Sequence, residues 1–154
     1  MTKLFLSLHV LAAVIAIGPV TVAASMFPPA LRRAHGDPQD HEALTTLRML
    51  HRICRVYAAI GIAVPLFGFA TASSLGVLGS AWLITSIVLT AAAAAVLALL
   101  ILPAQDGALT AARAPGATAT RAPARLAMLT GVFNLLWATV TILMIIRPGS
   151  TTGV

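Results

Sequence analysis

Four long apolar stretches dominate the chain, and short polar stretches separate them. A helix needs about 20 apolar residues to cross the hydrocarbon core of a bilayer, and each stretch reaches that length. The pattern predicts four transmembrane helices, over residues 4–26, 53–72, 80–103 and 126–146. Turn or helix-breaking residues follow each of them, beginning with Pro28 and Pro29. We therefore expect an all-α membrane protein, in which residues 1–154 form a single domain and the four helices an antiparallel bundle.

The first polar stretch, residues 27–52, also contains the signals of a helix start. Asp37 is a suitable N-cap, and Pro38 suits the first helical position. No helix breaker follows before Gly61 and Pro65. The second helix is therefore expected to begin near residue 38, to run for about 35 residues or roughly 50 Å, and to extend into the cytoplasm.

This extension of the second helix carries an apolar face. Three leucines recur there at helical spacing with an arginine beside them: Leu44, Leu47, Leu50 and Arg48. Such an arm could pack against other helices of this protein or contact a partner protein, and the sequence leaves both open.

The second polar stretch, residues 104–125, has a different character. It consists mainly of alanine, glycine, proline and threonine with three arginines, and it shows no apolar periodicity. We expect it to be a flexible cytoplasmic connector that lies close to anionic lipid headgroups.

Composition and charge support the membrane class and suggest an orientation. Hydrophobic residues make up 59% of the chain and charged residues 9%, whereas soluble domains carry about 25% charged residues. Within the net charge of +6, eight arginines lie in or beside the two polar stretches, against only Lys3 and Arg147 on the other side. The positive-inside rule then predicts a bacterial inner-membrane protein with both termini outside. The preference for arginine over lysine is typical of a GC-rich genome, such as an actinobacterial one.

His9 lies inside the first predicted helix, where a polar side chain needs a partner because lipid offers none. Its estimated depth matches hydroxyl groups on the third and fourth helices, namely Thr85, Ser86, Thr139 and Thr141. These hydroxyls are sufficient partners for a neutral imidazole. The alternative is that His9 binds haem b, which commonly takes a second histidine from another helix. No other histidine is expected at the depth of His9, and no metal site is predicted.

Other residues of the predicted helices bear on packing. Asn134 is expected near mid-membrane, where its amide can bridge to another helix. Gly18 with Pro19, and Pro65, are expected to kink the first and second helices. Small residues at helical spacing, such as the alanine run 91–95, allow close approach of helices and predict a docking face.

The stretch LHVLAAVIAIGPV, residues 8–20, combines an early histidine, His9, with a glycine nine residues later, Gly18. It resembles the first helix of a family of small bacterial four-span membrane proteins of unknown function. It is also similar to the first helix of the copper-resistance D-type membrane proteins, although Ile17 stands where those proteins often have tryptophan. The resemblance implies a four-span layout.

These features together predict a non-catalytic accessory or structural subunit of a larger bacterial inner-membrane complex, such as a lipid-import transporter or a respiratory complex. The predicted helices contain no Asp, Glu or Lys, which argues against an ion-coupled pump, and no enzymatic motif is present. The expected partners are membrane lipids and other membrane subunits, not nucleic acid. Two alternatives remain: a haem- or metal-binding protein using His9, and a small transporter with a polar cavity lined by Thr85, Thr141 and Asn134.

Overall fold

The computed structural model describes residues 2–37, 40–113 and 121–149, and within those residues the chain is helical and holds no strand. Its elements are α1 (Thr2–Gly36), α2 (His41–Ile60), α3 (Ala63–Leu75), α4 (Ala81–Ala95), a π-helical segment (Val96–Ile101), α5 (Leu102–Ala112) and α6 (Ala122–Ile146). They form four helices long and apolar enough to cross a membrane: Thr2–Gly36, His41–Leu75, Ala81–Ala112 and Ala122–Ile146. The predicted all-helical chain with four such helices is confirmed.

Helix α1 continues past Pro28 and Pro29, so the prediction that the first helix ends there is wrong. A proline leaves the carbonyl four residues earlier without its helical donor, which for Pro28 is the carbonyl of Ala24. The hydroxyl of Thr130 on α6 donates to that carbonyl, with 3.4 Å between Oγ1 and O. In apolar surroundings a neighbouring helix commonly satisfies carbonyls that proline frees. This contact therefore helps α1 to run on to Gly36.

Helix α2 begins at His41, and its N-cap is Asp40 rather than the predicted Asp37. The backbone N–H of Ala43 donates to the carboxylate of Asp40, with 2.8 Å between N and Oδ1. The N–H of Asp40 donates to the carbonyl of Asp37 at 3.0 Å, so Asp37 lies before the start of the helix and is bonded to its N-cap residue. Pro38, the predicted first helical residue, lies outside the described residues.

The second long helix is interrupted at Gly61 and Ile62, four residues before Pro65. Proline has no N–H to give to the Gly61 carbonyl, and the N–H of Val64 donates to it instead, at 3.1 Å. The irregularity expected from Pro65 is thus located one turn earlier in the chain. At Pro19, by contrast, α1 continues without interruption.

The third long helix contains a π-helical segment and then continues as α5. The N–H of Leu102 donates to the carbonyl of Leu97, five residues earlier, which is π-helical spacing. Residues 104–112 are helical, so the prediction of a flexible connector is wrong for them. Alanine favours helix, and Gln105, Ala108 and Leu109 form a buried face at helical spacing. Residues 114–120 of the predicted connector lie outside the described residues.

Helix α1 is central, because it contacts α2, α3, α5 and α6, while α4 packs on α6 and α5 packs on α2. The described parts of the polar stretches form a packed helical layer, whose core joins Phe27 and Leu31 of α1, Leu47 of α2, Leu109 of α5 and Leu126 of α6. We call this layer the basic end; it comprises residues 27–37, 40–55, 102–113 and 121–126. Its eight arginines are all exposed, so the layer buries its apolar faces and keeps its charge outside.

Candidate functional site

His9 is held by the interrupted second long helix. Its Nδ1 lies 2.9 Å from the carbonyl oxygen of Val64. Because a carbonyl only accepts, Nδ1 carries the hydrogen and Nε2 of the neutral ring is left as an acceptor. The imidazole also lies directly on Gly68, where an added Cβ would approach the His9 Cε1 to 2.9 Å. A glycine at this position therefore makes room for the ring.

The hydroxyl groups proposed as partners of His9 are bonded elsewhere. Thr85 donates to the carbonyl of Ala81, Ser86 to Trp82, Thr139 to Leu135 and Thr141 to Trp137, all at 2.8–2.9 Å. Each hydroxyl thus bonds to the preceding turn of its own helix, a common arrangement for such residues in helices. The prediction that they accommodate His9 is wrong, since a backbone carbonyl of α3 does so. Thr85 and Thr141 are exposed, and Asn134 is half-buried.

Asn134 bridges between two helices, as the sequence suggests. Its Nδ2 donates to the hydroxyl of Ser25 on α1 over 3.4 Å. Its Oδ1 is buried and has no partner among the described residues. Together with the Thr130 contact to Ala24, this bond ties α6 to α1 near the prolines of α1.

The arm at the start of α2 is packed inside the protein. Leu47 is fully buried and Leu50 is 7% exposed, and Leu44 packs against the same core. Only Arg48 of the four arm residues is exposed. Of the two alternatives that the sequence leaves open for this arm, packing against other helices of the same protein is the one observed, because its leucines belong to a core shared with α1, α5 and α6.

A buried polar network at the basic end was missed in the sequence. Nδ1 of His51 lies 3.1 Å from Oε1 of Gln105, and Nε2 of Gln105 donates to Sγ of Cys54 over 3.6 Å. Gln105 and Cys54 are fully buried, and His51 is 9% exposed. Nε2 of His51 lies 3.9 Å from a carboxylate oxygen of Asp106. These bonds join α2 to α5. The sequence signal that could have revealed them is Gln105, a polar residue on the apolar face of α5 that Ala108 and Leu109 also form.

A groove opens beside this network on the outer side of α2. It measures about 590 Å³ and is lined by His51, Arg52, Arg55, Val56 and Ala59. Arg52 and Arg55 are exposed and make no hydrogen bond or ion pair with the part of the chain that the structure describes. The groove thus combines a basic portion with an apolar portion.

Small residues are divided between the interior and the outside. Ala16 is fully buried against neighbouring helices, and Gly68 receives His9. Ala91 and Ala95 on α4, and Ala127 and Gly131 on α6, are exposed. Gly18, which carries the family resemblance, is exposed as well, and an added Cβ would meet nothing within 4 Å.

No group of three or more His, Cys, Asp or Glu side chains that could hold a metal ion is found in the described ranges. Comparison with protein-family models, with curated proteins and with solved structures finds no match to this chain.

Proposed function

We propose that this chain is a non-catalytic accessory subunit of a larger membrane complex. In this proposal the long helices form an antiparallel bundle in a bacterial cell membrane, with the basic end in the cytoplasm and both termini outside. The charge distribution supports that orientation, since eight arginines belong to the basic end and only Lys3 and Arg147 lie at the opposite ends of the helices.

The observation that carries the proposal is the outward face of α6. Ala127 and Gly131 are four residues apart and both exposed, and a Cβ on Gly131 would meet no atom within 4 Å. Packing within the described protein therefore does not require a glycine there. In membranes, small residues at this spacing let two helices approach closely. The pair supports docking of a helix from another protein, and Ala91 and Ala95 on α4 repeat the pattern.

The polar groups of the basic end support a structural role rather than chemistry. His51, Gln105 and Cys54 are engaged with one another and join α2 to α5. Leu47 and its neighbours are covered by other helices of the same chain. The surfaces with exposed small residues at helical spacing, on α4 and α6, remain available to a partner, and these two helices contact each other.

Affinity purification from native membranes in a mild detergent, followed by mass spectrometry, tests the proposal. The wild-type chain is expected to retain a defined set of membrane proteins at fixed stoichiometry. Gly131→Leu fills the small-residue face and is expected to release them. Gly18→Leu is the matched control, an exposed helical glycine on α1, and is expected to retain them. Equal recovery with both variants would refute the role given to α6.

A haem- or metal-binding role for His9 is the second candidate, and one observation favours it. Nδ1 of His9 donates to the carbonyl of Val64, and ligating histidines are commonly oriented by such a bond from their other nitrogen. Nε2 would then be the ligand atom. A Soret band in the purified protein that His9→Ala abolishes would support this role. A spectrum without that band, with no metal by elemental analysis, would remove it.

A further inference from the structure

The groove on α2 has a basic part and an apolar part, which match the anionic headgroup and the acyl chain of a phospholipid. Arg48, Arg52 and Arg55 recur on the face of α2 that also carries Val56 and Ala59. At about 1.5 Å per residue, Ala59 lies about 6 Å further along the helix than Arg55. The face therefore changes from basic to apolar within two turns, in the direction that leads from the basic end toward the middle of the protein.

The two groove arginines are available to an anion. Both guanidinium groups are exposed, and neither is bonded to any described residue. Guanidinium groups donate in a fork that matches the oxygens of a phosphate. Asp106 is the acidic residue near the groove, but its carboxylate lies against Nε2 of His51, 3.9 Å away, and is largely exposed. The two arginines outnumber it, so the groove is complementary to one negative charge.

A residue that lines the groove is held in place by a bond to α5. His51 lines the groove, and its Nδ1 is bonded to the fully buried Gln105. Gln105 is in turn bonded to Cys54. The network therefore fixes the ring of His51 and the adjoining turn of α2 against α5, and the side chains of Arg52 and Arg55 extend from that turn.

We propose that this groove binds one anionic phospholipid, with its phosphate on Arg52 and Arg55 and an acyl chain along Val56 and Ala59. Clusters of Lys and Arg at the cytoplasmic end of a membrane helix attract anionic lipid headgroups, and all the lining residues of this groove belong to α2. The groove volume of about 590 Å³ admits a headgroup together with the first methylene groups of a chain. The proposed lipid site uses only residues of this chain and needs no partner subunit. Evidence against the accessory role would therefore leave the lipid site unaffected, and the reverse also holds.

Lipid titration followed by native mass spectrometry tests the site on the full chain in detergent. The probe is phosphatidylglycerol, with phosphatidylcholine as the zwitterionic comparison. The wild-type chain is expected to hold one phosphatidylglycerol in preference to phosphatidylcholine. Arg52→Gln with Arg55→Gln is expected to lower the phosphatidylglycerol affinity about 30-fold, since each arginine contributes to attraction of an anionic lipid.

Matched variants distinguish lipid binding in the groove from a general effect of positive charge on the protein surface. Arg32→Gln with Arg33→Gln removes the same charge from exposed positions of the basic end outside the groove, and it is expected to leave the affinity within about twofold. Arg52→Lys with Arg55→Lys keeps the charge and controls for folding. Equal losses in the two glutamine variants, or no preference for phosphatidylglycerol in the wild type, would overturn the proposal.

A second arm of the experiment separates a lipid from a free phosphate ion. Inorganic phosphate at millimolar concentration is expected not to displace phosphatidylglycerol, because it lacks the apolar part. Ala59→Phe is expected to weaken lipid binding several-fold, whereas Ala94→Phe, another exposed alanine, is expected to have no effect. Full displacement by inorganic phosphate, with no effect of Ala59→Phe, would show that the groove binds an anion only.

Discussion

His9 and Gly68 form a matched pair, because the imidazole occupies the space that any larger residue at position 68 would need. Gly68→Ala places a Cβ 2.9 Å from Cε1 and 3.1 Å from Nδ1 of His9. The ring must shift, which disturbs its bond to the carbonyl of Val64, and we expect a loss of about 1–3 kcal/mol of stability. Unfolding of the purified protein in detergent measures it.

Two further variants identify the cause of that loss. Gly18→Ala should be nearly neutral, since an added Cβ there meets nothing within 4 Å. Adding His9→Ala to Gly68→Ala should recover part of the loss, because the clash disappears and contacting residues are not additive. Strictly additive losses in the double variant would count against the pairing.

Gln105 is the residue on which the buried network depends. Gln105→Leu keeps the approximate volume but leaves the Nδ1–H of His51 without its acceptor. A buried donor left unpaired costs about 1–3 kcal/mol, so this variant should unfold at a clearly lower denaturant concentration. Cys54→Ser, which retains a small polar acceptor, should cost less. A neutral Gln105→Leu would mean that the network contributes nothing to stability.

Some residue-level roles could be derived from the sequence and others could not. A polar partner for His9 was required by its apolar setting, but the choice of the Val64 carbonyl depends on Gly68, which lies 59 positions away in the chain. The hydroxyls at matching depth were satisfied by their own helices. Depth along a helix therefore does not determine which side of that helix a side chain faces.

The arm of α2 belongs to the core of the basic end, and its variants should behave accordingly. Leu47 is fully buried among α1, α5 and α6, so Leu47→Ala should cost about 2–5 kcal/mol. Arg48, the next residue, is exposed, and Arg48→Ala should change stability by less than about 0.5 kcal/mol. Thermal unfolding of both variants measures the difference. Similar values for the two would indicate that the arm is not packed as described.

The presence of the four long helices was predictable from the sequence, whereas the residues at which they end were not. The apolar runs are long enough to establish four long helices. Pro28 and Pro29 were expected to end α1, yet Thr130 on a distant helix donates to the carbonyl that Pro28 frees. Residues 104–112 showed no clear periodicity, yet Gln105, Ala108 and Leu109 are buried. Tertiary contacts thus decided both cases.

The proposed orientation of the protein can be tested with introduced cysteines, because the native Cys54 is buried. Ser74 near the end of α3 and Thr110 in α5 are both exposed. A membrane-impermeant maleimide is expected to label Ser74→Cys on intact cells and Thr110→Cys only after lysis, since the basic end is proposed to be cytoplasmic. Labelling in the reverse order would place the basic end outside.

The assembly of the whole protein with a partner requires more than exposed apolar side chains. Outward apolar side chains are expected on any membrane helix, so exposure alone does not indicate a partner. The exposed small residues Ala127 and Gly131 are a different case, because a helix surface that faces only lipid does not need small side chains. Close approach of a second helix does need them. The accessory role therefore depends on this pair.

Native mass spectrometry of the tagged chain, extracted from its own membranes in mild detergent, tests that role most directly. We predict an assembly heavier than two copies of the 15.8 kDa chain, which Gly131→Leu reduces to the mass of the free chain. A particle with the mass of one or two copies, unchanged by Gly131→Leu, would contradict the proposal.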